Sequence, residues 1–201
     1  GGNVTNTSSG NGGKGIKANG TITVGTASSS PTLTLTTSGS KFVVSGSDYN
    51  HPKTMVSDGT ITVKNGTINI SSTDDARHSE TSIVFDGGNT TISKSYEAVE
   101  SALIYMNGGT LDLTASNDGI NTTKGTTSGG TESNDGSYLY VTGGTLAASC
   151  TGGDAIDSNG NLEISGGVVI ANGPISGVEE AVDFNGSFNM KGGLFIGAGS
   201  N

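Results

Sequence analysis

One four-residue phrase recurs five times along this chain: DARH at 75–78, EAVE at 97–100, DGIN at 118–121, DAID at 154–157 and EAVD at 180–183. A turn pair runs in step with it, beginning as Asn65 with Gly66 and continuing with second glycines at Gly88, Gly109, Gly144, Gly167 and Gly193. Successive second glycines are 22, 21, 35, 23 and 26 residues apart. Strand-like segments flank each pair, and a period in the low twenties between such segments is the mark of a solenoid. Equivalent positions of successive turns then lie one strand spacing apart, roughly 4.8 Å. The repeated phrase becomes a vertical stack of carboxylates, which calls for a cation.

The apolar residues fit this reading. Before each turn they alternate as Ile61/Val63, Ile83/Phe85, Ile104/Met106, Leu139/Val141, Leu162/Ile164 and Phe188/Met190. After it come Ile68/Ile70, Thr90/Ile92, Leu111/Leu113, Leu146/Ala148, Val169/Ala171 and Phe195/Gly197. Period-two alternation means half-buried strands. A third strand near each acidic phrase, with Val99, Ile120, Ile156 or Val182 facing inward, completes a turn. The expected fold is all-β, a single-stranded right-handed parallel β-helix with about 21–26 residues per regular turn; the hand follows from crossover chirality.

Residues 1–201 read as one β-helix domain, a fragment or ordered core of a longer secreted protein. A Thr/Ser/Gly-rich insertion at 122–137 is expected to project as a loop. A second irregular stretch, 25–53, carries an extra apolar run from Leu33 to Val44 and then a polar segment. The 35 glycines and the Ser, Thr and Asn content resemble a disordered composition, but disordered tracts keep no period. Arg77 departs from the pattern, because it stands where the aligned phrases carry Val or Ile. Cys150 is the sole cysteine, so no intramolecular disulfide forms, and its place in an inward run predicts a buried thiol.

A formal charge of −9 disfavours nucleic acid and anionic membranes, and no apolar stretch is long enough for membrane insertion. Eight of the 18 acids fall in the two columns of the repeated phrase. Acids and Asn are ordinary turn residues when they occur once. Five copies in register form a cage of oxygen donors suited to calcium, which takes six to eight oxygens. The candidate ligands are Asp75, Glu97, Glu100, Asp118, Asn121, Asp154, Asp157, Glu180 and Asp183, with Asp74, Asn117 and Glu179 as possible additions. Tyr105, Tyr138 and Tyr140 fall on one outward face and are candidates for stacking on sugar rings.

The segments KGIKANGTITV at 14–24, YNHPK at 49–53 with SDGTIT at 57–62, and GDAIDSNG at 153–160 through ISGG at 164–167 carry a resemblance. The chain resembles extracellular bacterial carbohydrate-binding β-helix proteins, which are similar to calcium-dependent pectate and polysaccharide lyases. The resemblance implies calcium at the acidic bends, binding of cellulose or acidic plant polysaccharides such as pectin, and a secreted or cell-surface location. Three functions follow as expectations. The first is a calcium-stabilised polysaccharide-binding module without catalytic residues. The second is a lyase using Lys14, Lys17, Lys53 or His51 as base. The third is a unit that stacks end to end into a fibre.

Overall fold

The computed structural model describes residues 2–125 and 133–200; the middle of the 122–137 insertion lies outside the described residues. Among these, all regular structure is strand: 22 strands and no helix. The largely β-branched, Gly-punctuated sequence accounts for this, since it supplies strand formers between turns and no run of helix formers.

Eight strands form one sheet, and they follow one another across it in chain order: Asn3–Ser8, Thr32–Thr37, Thr67–Ser71, Asn89–Lys94, Thr110–Ala115, Thr145–Cys150, Val168–Asn172 and Leu194–Ala198. Every neighbouring pair is parallel. A second sheet of 12 strands contains two files. One runs through the acidic phrases, from Ile16–Ala18 and Met55–Ser57 to Ile156–Ser158 and Val182–Phe184. The other runs before the glycine turns, from Ile22–Val24 and Ile61–Val63 to Asn161–Ile164 and Phe188–Met190. The long strands Arg77–Phe85 and Val99–Met106 belong to both files.

The second glycine of each turn pair has positive φ, for example 80° at Gly109. A Cβ there would lie 2.4 Å from the Gly88 carbonyl oxygen of the preceding turn. The turn column therefore admits only glycine, for both its backbone angle and the closeness of the turn beneath.

A single buried cluster draws on both sheets, and the residues expected to face inward fill it from Ile61 to Ala171. The last repeat is looser: Phe188 and Phe195 are only partly buried and Met190 is exposed. Their strands have a neighbour on one side only among the described residues. Cys150 is buried, donates to the Gly153 carbonyl at 2.9 Å, and has its thiol pushed up to about 12 by burial.

Two stretches needed three dimensions to read. The run from Leu33 to Val44 is two elements: Leu33 and Leu35 are core residues, whereas Phe42, Val43 and Val44 are exposed on a hairpin, Phe42–Ser45 against Asp48–Asn50. Arg77 stays in register between Met55 and Val99 and is fully buried. Its Nη2 donates to Thr90 Oγ1 at 3.1 Å and its guanidinium lies 5.1 Å from the Phe85 ring, but Nε and Nη1 have no acceptor. Burial lowers its pKa to about 9.

Candidate functional site

The acidic phrases stack as two columns. Backbone bonds join each first position to the next repeat: Thr54 donates to the Asp75 carbonyl, Ala76 to Glu97, Ala98 to Asp118, Gly119 to Asp154 and Ala155 to Glu180. In the second column Val56, His78, Glu100, Asn121, Asp157 and Asp183 pair in succession. Small residues after the first acid permit this stacking; a Cβ on Gly119 would meet the Ala155 carbonyl at 2.5 Å. The side chains divide the stack into two unlike halves.

In the proximal half a lysine from the preceding repeat supplies the cation. Lys53 ion-pairs with Asp75 and lies 2.9 Å from Glu100 Oε2. His78 lies between Glu100 (2.5 Å, through Nδ1) and Glu80 (3.0 Å, through Nε2). Burial opposes the Lys53 charge, but Asp75 and Glu100 outweigh it and hold the ammonium well above the usual lysine range. Burial pushes the Asp75 carboxyl up, whereas on Glu100 burial is outweighed by His78, Asp75 and Lys53, which hold it low. Glu97 stands beside this network and feels the charges of Glu100 and Lys53. It receives Asn117 Nδ2 at 3.5 Å and Asn121 Nδ2 at 3.2 Å, and burial followed by Glu100 and Asp118 raises it to about 8.

No lysine lines the hollow of the distal half. Oxygens of Asp154, Asp157 and Asp183 lie within 4.8 Å of one another. They line a 360 Å³ hollow with Asn117, Asp118, Gly153, Asn159, Glu179 and Asn185. Asp118 Oδ1 accepts the Asp154 amide at 2.8 Å, and Asp154 Oδ1 accepts the Glu180 amide. Burial, then Asp118, Asp154 and Asp183, raises Asp157 to about 7; burial raises Asp118 to about 6. The Glu180 side chain does not line the hollow; its neighbour Glu179 does.

The three tyrosines come together as a stack: Tyr105 and Tyr140 with centroids 5.2 Å apart and planes at 4°, Tyr138 and Tyr140 at 3.8 Å and 6°. Parallel rings at these separations cover one another's faces, so Tyr140 offers little open face to a sugar.

A larger cleft, about 610 Å³, opens between the two segments that flank the 42–50 hairpin, 38–41 and 51–53, and the proximal acidic bends. Lys41, His51 and Lys53 line it with Asp74, Asp75, Tyr96, Glu97 and Glu100. The segments flanking the hairpin are tied down: Thr73 Oγ1 donates to the Gly39 carbonyl at 2.7 Å, His51 Nδ1 lies 2.9 Å from Asp74 Oδ2, and Lys14 donates to Asn50 Oδ1 at 2.9 Å. Tyr96 is half exposed, with no ring stacked on it among the described residues. Neither Tyr96 nor the cleft was anticipated from sequence. The available signal was that Tyr96 immediately precedes the EAVE phrase, and that Lys53 occupies the first acid column one repeat before Asp75.

No helix among the described residues is long and apolar enough to cross a membrane. Neither the curated proteins nor the solved structures include a match to this chain. A family described as carbohydrate-binding domain-containing protein matches residues 1–98, a segment that holds every cleft-lining residue except Glu100 and supports carbohydrate binding in general terms.

Proposed function

We propose that this chain is a carbohydrate-binding module, built as a right-handed parallel β-helix, that meets its glycan in the cleft beside Tyr96. The observation that carries the reading is the cleft itself: an open aromatic ring beside several hydrogen-bonding side chains, inside the matched segment. An aromatic face takes the C–H face of a pyranose while polar groups take its hydroxyls. The proposed setting is secreted or cell-surface, and the glycans to try first are cellulose and pectin fragments.

Calcium is proposed for Asp154, Asp157 and Asp183, with Asp118 and Glu179 nearby. The donor set fits, being all oxygen and without a protein cation. Asn121 Oδ1, one repeat before Asp157 in the same column, is buried without a donor. Bound there, calcium neutralises the carboxylates and pins adjacent turns. Lys53 does the same work at the proximal bends, and its doubly paired ammonium is a fixed cation rather than a base, which favours binding over lyase chemistry.

Calorimetry with cello-oligosaccharide and oligogalacturonate, with and without calcium, tests this reading. Binding lost in Tyr96→Ala and kept in Tyr140→Ala supports the cleft; the reverse moves the site to the tyrosine stack. Appearance of unsaturated product in the ultraviolet would make the chain a lyase.

One observation favours end-to-end assembly as a second reading. The first repeat carries Lys14 and Lys17 in the two columns where the last carries Glu180 and Asp183, so head-to-tail stacking juxtaposes opposite charges. Salt-sensitive sedimentation of the 201-residue chain would support it; a strict monomer at high concentration would remove it.

A further inference from the structure

Most of the YNHPK segment at 49–53 is accounted for by contacts within the protein. Asn50 accepts from Lys14, His51 faces Asp74, Pro52 is buried in the cleft wall, and Lys53 pairs with Asp75 and Glu100. Tyr49 is the exception, an exposed ring on the hairpin. Its direction follows from the strand register. Directly paired residues of an antiparallel ladder share a face, and faces alternate along each strand. Phe42 pairs with Asn50 and Val43 with Tyr49, so the hairpin has a Phe42/Asn50 face and a Val43/Tyr49 face. The first is turned to the 10–13 loop: a Cβ on Gly12 would lie 2.6 Å from Phe42 Cε1 and 2.8 Å from Asn50 Cγ. The second continues into the cleft, because Lys41 and His51, which precede Val43 and follow Tyr49 by one alternation, both line it. Contacts across that face agree. The Lys41 ammonium lies 4.9 Å from the Tyr49 ring centre, and His51 meets the Tyr49 ring edge-on with centroids 6.2 Å apart. Two exposed tyrosines therefore stand on one continuous surface, Tyr96 inside the cleft and Tyr49 beyond its Lys41/His51 rim.

We infer that Tyr49 is a second sugar-stacking subsite, so that the site takes a run of consecutive units of a long glycan, from Tyr96 out across the rim to Tyr49, rather than a single sugar. This rests on the reading of the cleft as a glycan site and adds the length class of its ligand. Tyr49 does not line the cleft itself, so only a chain that leaves the cleft reaches it. Its ring offers what Tyr140 does not: no other ring is stacked on it among the described residues, and Val43 beside it extends the apolar platform. A pyranose seated there gains the aromatic contact, while the Lys41 ammonium supplies donors to hydroxyls of the unit that crosses the rim.

The test is calorimetric titration of the chain with cello-oligosaccharides and oligogalacturonates from dimer to hexamer, using the wild type, Tyr49→Ala and Tyr49→Phe. Wild-type affinity for the better series is expected to rise at least about tenfold from dimer to hexamer, the weight of one further aromatic contact. Tyr49→Ala should remove most of that rise, lowering hexamer affinity far more than dimer affinity. Tyr49→Phe should restore it, since the ring and not its hydroxyl makes the platform, and circular dichroism confirms the fold of both variants. An affinity that does not grow with chain length, a rise undiminished in Tyr49→Ala, or equal losses for dimer and hexamer would overturn the second subsite while the glycan-cleft reading stands. If neither series binds the wild type at any length, the glycan-cleft reading falls and the inference with it.

Discussion

Replacing Arg77 with methionine should stabilise the chain, although it deletes a charged residue from a network-rich protein. The guanidinium is fully buried in the column between Met55 and Val99, with Nε and Nη1 unpaired. Its pKa, lowered by burial to about 9, converts at roughly 1.4 kcal/mol per pH unit into a desolvation cost on the order of 5 kcal/mol. Against this stand the bond to Thr90, roughly 1.5–3 kcal/mol for a charged donor, and the contact with Phe85, roughly 0.5–2 kcal/mol. Methionine keeps an unbranched apolar stem and matches Met55 in the adjacent turn. The net expectation is a gain of about 1–2 kcal/mol, or a urea midpoint higher by roughly 0.5–1 M. Equilibrium urea unfolding followed by circular dichroism measures it. A second signature comes from linkage. The folded arginine releases its proton more readily than the unfolded one, so wild-type stability should climb as pH rises above about 9, a climb the variant lacks. A midpoint that falls by 0.5 M or more would refute the reasoning, because it would mean that the guanidinium has an acceptor worth more than its desolvation.

Further outcomes are expected. Without metal, stability should fall as pH rises from about 4 to about 8, because Asp118, Glu97 and Asp157 titrate near 6, 8 and 7 when folded, and raised acids bind more protons in the native state than in the unfolded one. Calcium should flatten that fall and raise the melting temperature most at the upper end; a metal-independent melting profile would remove the distal cation site. Lys53→Met should cost about 3–5 kcal/mol by stranding Asp75 and Glu100, and its melting point should recover as pH is lowered toward 4. Gly109→Ala should destabilise by roughly 2 kcal/mol or more, whereas Gly46→Ala, with positive φ but nothing near its Cβ, should cost less; equal losses would show that backbone angle alone matters.

The repeat, the parallel order of the strands, the inward columns and the glycine turns were all legible in the residues. A repeat is a one-dimensional property: once Gly66, Gly88 and Gly109 fall in step, Ile61, Ile83 and Ile104 must share a column, and so must Glu100, Asn121 and Asp157. What the columns do with their charge was not legible. Lys53 lies in the same column as Asp75, but only side-chain reach decides that its ammonium also takes Glu100 two repeats on, beside a close Asp75, His78 and Glu100 cluster. Tyr105, Tyr138 and Tyr140 were correctly placed on one face, yet their ring planes, which sequence does not encode, turn the faces toward one another. The Tyr96 cleft depends on the 38–41 and 51–53 segments around the 42–50 hairpin, a departure from the repeat that is fixed by Lys14, Thr73 and Asp74 from other turns. Periodicity propagates register along the chain, whereas partner choice and cavity shape depend on distances that only the folded chain sets.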